Sequence, residues 1–167
     1  MKKLHLIRHA KSSWADDSLA DIDRPLNPRG VKSCRVMAAQ IVKAGCGFGH
    51  VFCSPAVRAR STIEQISQNL PDREIAWQLD DALYTFDAQD LLRWCRGLDN
   101  ALSEVVVVGH NNAMTDFCNE VGDRPIENLP TCGYVQLAFG RGAWQDLSTG
   151  SAERLSFLKP KMFMKSL

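Results

Sequence analysis

The chain has 167 residues, of which 45% are hydrophobic and 23% are charged, and its formal net charge at pH 7 is +1. This length suits one domain with a single hydrophobic core, and the composition is that of an ordinary globular protein. The near-neutral charge, with no block of basic residues, argues against a nucleic-acid surface. We therefore expect residues 1–167 to form one domain that binds no nucleic acid.

The six cysteines are scattered and include no Cys-x-x-Cys pair. Most lie inside apolar patterns, which predicts buried free thiols in a reducing cytoplasm and neither disulfides nor a zinc site. Polar residues interrupt the N-terminal apolar stretch, which argues against a signal peptide, and no apolar run reaches the roughly 18 residues of a membrane span. The sequence thus predicts a cytoplasmic protein without a membrane partner, and we expect a monomer.

The first predicted strand is an apolar run that ends in two basic side chains. Leu4, Leu6 and Ile7 predict a buried strand, and Arg8 and His9 follow it directly. Ligands of open α/β sheets bind at the carboxyl ends of the strands. An Arg and a His at such an end indicate a site for an anion such as phosphate.

A long polar loop, residues 12–28, separates this strand from the first helix and could form a wall of a site. The Pro-Leu-Asn-Pro sequence at 25–28 predicts a turn and a helix start. Apolar residues then recur at helical spacing to about Ala44, after which Gly45 ends the helix.

The rest of the chain alternates between short apolar runs and amphipathic segments. Four consecutive valines, Val105–Val108, predict burial on both faces of a central parallel strand. After Pro130, apolar runs separated by glycines predict a late antiparallel hairpin, and the basic tail from Lys159 is expected to be loosely held. The expected strands are 50–54, 74–79, 104–110, 134–139 and 155–158, and the expected helices span about 59–70, 87–98 and 114–121.

Alternating strands and helices predict an α/β fold, a three-layer sandwich with a mostly parallel central sheet and helices on both faces. The carboxyl ends of parallel strands share one edge of the sheet. The first strand ends in Arg8 and His9, the second leads to Arg58, and the valine strand leads to His110. We therefore expect these four side chains to meet, with helix N-termini adding positive partial charge.

These four residue types suit phosphoryl transfer. Two guanidinium groups can clamp phosphoryl oxygens, a neutral imidazole can attack phosphorus, and a second, protonated imidazole can neutralise the developing charge. Such chemistry needs positioning and positive charge above all. The sequence has no acidic cluster suited to a metal ion, so we expect neither a metal nor another cofactor.

The same segments resemble the motifs of a known family. Arg8-His9, residues 54–59 and Gly109-His110 are similar, in order and position, to the phosphate-binding motifs of the histidine phosphatase superfamily. The resemblance spans about residues 3–158 and implies a phosphoglycerate-mutase-like fold.

Two further stretches, residues 8–14 and 23–30, resemble the SixA-type phosphohistidine phosphatase branch of that superfamily. The resemblance implies that His9 is the nucleophile and forms a phosphohistidine intermediate that water hydrolyses. It also implies a phosphorylated substrate, such as a signalling protein that carries phosphohistidine. The residues implied in phosphoryl binding are Arg8, Arg58 and His110, and further candidates for substrate contact are Arg24, Lys11 and Ser12, of which the last two could equally be solvated loop residues.

The chain departs from the wider superfamily in two places. Ala10 follows the nucleophile where glycine is common, which is tolerable if the backbone there has a negative φ. Many members have a glutamate that protonates the leaving group where this chain has Tyr84 and Thr85, and Asp80 and Asp81 are poor substitutes. An imidazole leaving group needs this donor less than an alkoxide does, because its nitrogen can itself carry the proton. The missing acid favours an N-phosphorylated substrate.

Other functions stay open on sequence alone. A cysteine phosphatase needs Cys-x₅-Arg, whereas Cys53 and Arg58 are one residue too close. A metal hydrolase needs paired ligands, and His5 and His50 are better explained as structural histidines. The remaining alternatives are a broad small-molecule phosphomonoesterase and a phosphate- or phosphoprotein-binding module without turnover. A mutase usually carries extra segments around its pocket, for which this chain has little room.

Overall fold

The computed structural model describes residues 1–140 and 142–164. Its strands are β1 (Lys2–Arg8), β2 (Val51–Cys53), β3 (Trp77–Leu79), β4 (Glu104–Gly109), β5 (Tyr134–Phe139) and β6 (Glu153–Leu158). Its helices are α1 (Pro28–Lys43), α2 (Val57–Gln68), α3 (Ala88–Arg96) and α4 (Ala113–Val121). Short 3₁₀ turns lie at Asp21–Asp23, Asp81–Leu83, Trp144–Asp146 and Pro160–Met162.

The strands form one mixed sheet in the order β3-β2-β4-β1-β5-β6. The first four strands of the chain run parallel, whereas β5 runs antiparallel to β1 and β6 antiparallel to β5. The valine strand β4 lies between two parallel neighbours, as its sequence predicts. The late antiparallel pair, β5 and β6, is also confirmed.

The sheet separates two hydrophobic clusters, which gives the molecule three layers. Val105 and Val107 pack in one cluster with residues of α3 and α4. Val106 and Val108 pack in the other with residues of α1 and α2. Successive side chains of a strand point to opposite faces, so one uninterrupted apolar strand serves both cores. The predicted α/β sandwich with helices on both faces is confirmed.

Local signals explain where the elements begin and end. The Asn27 side chain caps α1 by accepting from the Gly30 N–H at 2.8 Å, and Pro28 occupies the first turn. The strand predicted at 74–79 is shorter in the structure, beginning at Trp77, because it pairs only with the three residues of β2. All six cysteines are buried and free, as expected.

The direction of β5 and β6 brings further segments to the edge where β1 ends. Tyr134, the first residue of β5, lies opposite Ile7 near the end of β1 and opposite Leu158 at the end of β6. The loop before β5 and the segment after β6 therefore both lie at this edge. The segment from Lys159, predicted to be loosely held, forms a 3₁₀ turn in which Pro160 is buried. Residues 165–167 of that predicted tail lie outside the described residues.

Across the described ranges, no helix combines the length and the apolar character that crossing a membrane requires.

Candidate active site

The four predicted catalytic residues meet at the carboxyl edge of the parallel strands. The His9 N–H donates to the Gly109 carbonyl at 3.0 Å, which joins the ends of β1 and β4. The His9 and His110 rings lie 5.2 Å apart, and Nη2 of Arg58 lies 3.4 Å from Nδ1 of His110. Arg8 is half-buried, and the other three are buried. The topology therefore gathers side chains from distant parts of the sequence, as the strand-end argument predicts.

Both guanidinium groups retain a buried donor. Arg8 donates through Nη1 to the Leu129 carbonyl at 2.9 Å, and Arg58 donates to the carbonyl and the carboxylate of Asp21 at 2.6 and 2.9 Å. Within the described residues, neither Nε has a hydrogen-bond partner. Buried donors are nearly always paired in proteins, so these two nitrogens suit an oxyanion.

His9 is a neutral imidazole whose Nε2 carries the reactive lone pair. Its Nδ1 lies 2.7 Å from the Ala10 carbonyl. A carbonyl can only accept, so Nδ1 carries the proton and Nε2 carries the lone pair. Burial, together with the positive charges of Arg58 and Arg8, lowers the pKa of His9 to about 4. The lone pair is therefore available at neutral pH for attack on phosphorus.

Ala10 fits the turn after the nucleophile. Within the described residues, left-handed backbone at non-glycine positions occurs at Phe48 and Cys132 and not at Ala10. The Ala10 N–H donates to Oγ1 of Thr62 at 2.8 Å, and that hydroxyl donates to the Arg58 carbonyl at 2.7 Å. This pair of hydrogen bonds fixes the nucleophile segment against the first turn of α2.

His110 differs from its predicted charge state. Arg58 can only donate, so Nδ1 of His110 accepts from it and Nε2 donates to Oγ of Ser54 at 2.8 Å. Burial, the adjacent His9 and the charge of Arg58 lower the pKa of His110 to about 3. The sequence analysis gave a protonated imidazole the task of neutralising the developing charge. Burial makes His110 neutral in the site as it stands, so this task requires that the imidazole gain a proton when the phosphoryl group binds.

Asp21, which the sequence analysis gave no role, joins three side chains of the site. Its Oδ2 accepts from Nη2 of Arg58 at 2.9 Å and from the Tyr84 hydroxyl at 2.5 Å. Its Oδ1 accepts from Nε and Nη2 of Arg24 at 3.3 and 3.2 Å. The sequence could have indicated only the pairing of Asp21 with Arg24, which lie three residues apart. The contacts of Asp21 with Arg58 and Tyr84 join residues that are far apart in the chain.

Asp21 is a poor proton donor. Burial raises its pKa, but the hydrogen bonds from Tyr84 and Arg58 outweigh this and hold the pKa at about 2. The carboxylate is therefore ionised at neutral pH. Asp80, weighed above as a substitute acid, instead accepts from the Trp94 indole N–H at 2.9 Å and from the backbone. These contacts agree with the prediction that Asp80 is a poor substitute for the missing acid.

The three further candidates for substrate contact lie in two places. Arg24 and Ser12 are buried and contact each other, with Nη1 of Arg24 donating to Oγ of Ser12 at 2.6 Å. The Arg24 guanidinium also stacks 3.6 Å from the ring centroid of Trp14, and its charge lowers the pKa of His9. Lys11 is exposed and lines a neighbouring cavity. Contact of these residues with a substrate stays a prediction.

Two alternative chemistries lose support. Burial raises the pKa of the Cys53 thiol to about 12, so the thiolate of a cysteine phosphatase does not form at neutral pH. In residues 1–140 and 142–164, no group of three His, Cys, Asp or Glu side chains is placed to hold a metal ion. His5 is buried and bonded to the Tyr134 hydroxyl at 2.6 Å, as a structural histidine should be. His50 is exposed, contrary to prediction, because it precedes β2.

Replacing Asp21 with alanine should lower kcat about 10- to 100-fold, because Arg58 loses the partner that fixes its guanidinium. The inhibition constant of inorganic phosphate should not rise, since the site loses a negative charge. Steady-state kinetics with phosphate as inhibitor measure both effects. Tyr84→Phe is the matched control, which removes one contact of Asp21 and should change kcat less than about 5-fold. An unchanged kcat in Asp21→Ala contradicts the positioning role.

A family model described as the histidine phosphatase superfamily (branch 1) matches residues 4–92, just over half of the 167-residue chain. The chain also resembles an uncharacterized protein of Mycobacterium leprae, with 28% identity over 167 residues that cover 93% of this chain and 100% of the relative.

Solved structures share the fold. A protein of Nakamurella multipartitia, provisionally described as the phosphohistidine phosphatase SixA, matches with a TM-score of 0.79 and 24% identity over 95% of this chain and 96% of its own. The protein histidine phosphatase SixA complexed with tungstate matches with a TM-score of 0.79 and 18% identity over 97% and 99% of the two chains. At these identities the likeness establishes the phosphoglycerate-mutase-like fold that the motifs implied.

Proposed function

The chain belongs to the histidine phosphatase superfamily, and from this premise we propose that it is a phosphatase that acts on phosphohistidine in a protein. The reaction passes through a phosphohistidine on His9 and uses no metal ion. Support comes from a nucleophile that is neutral at neutral pH and from the two guanidinium groups of Arg8 and Arg58 beside it.

The first half-reaction transfers the phosphoryl group to the enzyme. Nε2 of His9 attacks phosphorus, the new N–P bond forms, and the N–P bond to the substrate imidazole breaks. The electron pair of the broken bond stays on the substrate nitrogen, and the substrate ring leaves as a neutral imidazole because its other nitrogen already carries a proton. Arg8 and Arg58 bind the phosphoryl oxygens and stabilise the transition state by charge.

The second half-reaction returns the free enzyme. A water molecule attacks the phosphoryl group, His9 leaves as a neutral imidazole, and inorganic phosphate is released. The negative charge of the phosphoryl group opposes the effect of Arg58 on His110 and raises the pKa of that imidazole. His110 can then hold a proton next to a phosphoryl oxygen during both steps.

The observation that carries the choice of substrate is the set of hydrogen bonds that the Asp21 carboxylate accepts from Arg58, Tyr84 and Arg24. These contacts favour the ionised form and hold the pKa of Asp21 at about 2, so that this group has no proton to donate at neutral pH. An alkoxide leaving group needs a proton donor, whereas an imidazole is a good leaving group near neutral pH because its own nitrogen binds a proton. The site thus favours N-phosphorylated substrates over phosphate monoesters.

We expect kcat/KM to be at least about 100-fold higher for a phosphohistidine peptide than for a phosphoserine peptide of otherwise identical sequence, since a general acid typically contributes that much to a monoester reaction. Phosphate release at pH 7 measures both rates, and the same peptides without enzyme give the background. A phosphoserine peptide that is cleaved as fast as its phosphohistidine counterpart contradicts the proposal.

A further inference from the structure

A cavity of about 680 Å³ opens at the same edge of the sheet as the active site. Its walls come from the segment after the nucleophile, the start of α1, the loop before β5 and the segment after β6. The lining residues are Lys11, Arg29, Ser33, Glu127, Asn128, Pro130, Thr131, Phe157, Lys159, Pro160, Lys161 and Met164. We refer to it as the basic cavity.

The basic cavity concentrates positive charge in a nearly neutral protein. Its lining includes Lys11, Arg29, Lys159 and Lys161 but a single carboxylate, Glu127, although the whole chain has 20 basic and 19 acidic residues. In the part of the chain that the structure describes, none of these four basic side chains lies within ion-pair distance of a carboxylate. A concave surface of one charge sign attracts ligands of the opposite sign.

The walls of the basic cavity are continuous with the catalytic segments. Asn128 accepts a hydrogen bond at 2.9 Å from Asn111, the residue after His110. The neighbouring Leu129 carbonyl accepts from Arg8 at 2.9 Å. Lys11 follows the nucleophile by two residues, and its carbonyl accepts from the Asn27 N–H at 2.9 Å. The cavity is therefore built from segments that neighbour the catalytic residues in the chain and are hydrogen-bonded to them.

We propose that the basic cavity binds an acidic segment of the phosphorylated protein, next to its phosphohistidine; this inference rests on the proposed function. Three of the four basic residues are lysines. Each lysine ammonium is a separate point charge, whereas the planar guanidinium of arginine is the group that binds a phosphate with two parallel hydrogen bonds. The apolar surfaces of Phe157, Pro160 and Met164 lie among them. Separated cations with apolar surface between them match a polypeptide in which acidic and apolar side chains alternate.

The test uses two matched charge reversals in the full chain. Lys159→Glu with Lys161→Glu changes the basic cavity, and Lys32→Glu with Arg73→Glu makes the same change in net charge at exposed residues outside it. Three phosphoryl compounds are compared: phosphoimidazole, a phosphohistidine peptide rich in Asp and Glu, and the same peptide with Asn and Gln in their place. Phosphoimidazole carries no peptide segment and reports on the catalytic centre.

We expect the cavity variant to raise KM for the acidic peptide at least tenfold. Its kcat for that peptide and its kcat/KM for phosphoimidazole and for the neutral peptide should change less than about twofold, because the catalytic groups are untouched. The Lys32/Arg73 control should change every KM less than about threefold. Equal effects of the two double variants, or a wild-type enzyme without preference for the acidic peptide, overturn the proposal.

A binding measurement separates this proposal from the proposed function. Fluorescence anisotropy of the labelled, unphosphorylated acidic peptide needs no turnover, and its affinity should fall at least tenfold in the cavity variant and not in the control. If no phosphohistidine compound is hydrolysed, the proposed function fails. The affinity for the unphosphorylated peptide then still shows whether the basic cavity binds an acidic segment. Tripolyphosphate that binds there more tightly than the peptide overturns the proposal in favour of a small polyanion.

Discussion

Replacing His9 with alanine should lower kcat/KM for a phosphohistidine peptide by about 10⁴-fold or more, because the group that forms the covalent bond is lost. Rapid quenching of the wild-type enzyme with a ³²P-labelled peptide should trap a phosphoryl adduct that is labile in acid and stable in alkali, as a phosphorus–nitrogen bond is. The adduct should map to His9 and be absent from His9→Ala.

His50→Ala provides the matched control for this experiment. It removes the same side chain from an exposed position before β2, outside the site, and should keep both turnover and the adduct. A labelled adduct that persists in His9→Ala contradicts the role of His9. A wild-type enzyme that binds the peptide but forms no adduct favours the binding module that the sequence left open.

The sequence predicted the central site residues because topology alone brings them together. Arg8 ends β1, and His9 and His110 directly follow β1 and β4, two strands with clear apolar patterns. Arg58 lies in the first turn of α2, which comes after β2. Parallel strands leave their carboxyl ends at one edge, so the meeting of these residues needs no knowledge of side-chain contacts. The element boundaries were less accurate where a strand depends on a short partner, as β3 does on β2.

The missed features depend on tertiary contacts and burial. Asp21 lies in a loop whose path is set by contacts with Arg58 and Tyr84, 37 and 63 residues away in the chain. The neutral state of His110 results from burial that no local pattern reveals. The sequence left Lys11 open between substrate contact and a solvated loop position, and the structure places it in the lining of the basic cavity. Nearness to His9 in sequence could not decide where this side chain points.

Replacing Gly30 with alanine should destabilise the protein by about 2–4 kcal/mol, although the same change in an ordinary helix interior stabilises by about 1 kcal/mol. A Cβ on Gly30 would lie 2.3 Å from the Lys11 carbonyl oxygen and 2.9 Å from the Lys11 nitrogen. Both are backbone atoms, which no change of rotamer can move. Relief therefore requires α1 to move away from the nucleophile segment. Urea unfolding followed by circular dichroism measures the loss.

Gly47→Ala is the matched control for this change, because a Cβ there meets nothing within 4 Å and the residue lies in the loop after α1. Its stability should stay within about 1 kcal/mol of wild type. Since Lys11 follows His9 by two residues, Gly30→Ala should also lower kcat/KM for the protein that remains folded, whereas Gly47→Ala should not. Equal stability and activity in the two variants would mean that the close approach of α1 does not position His9.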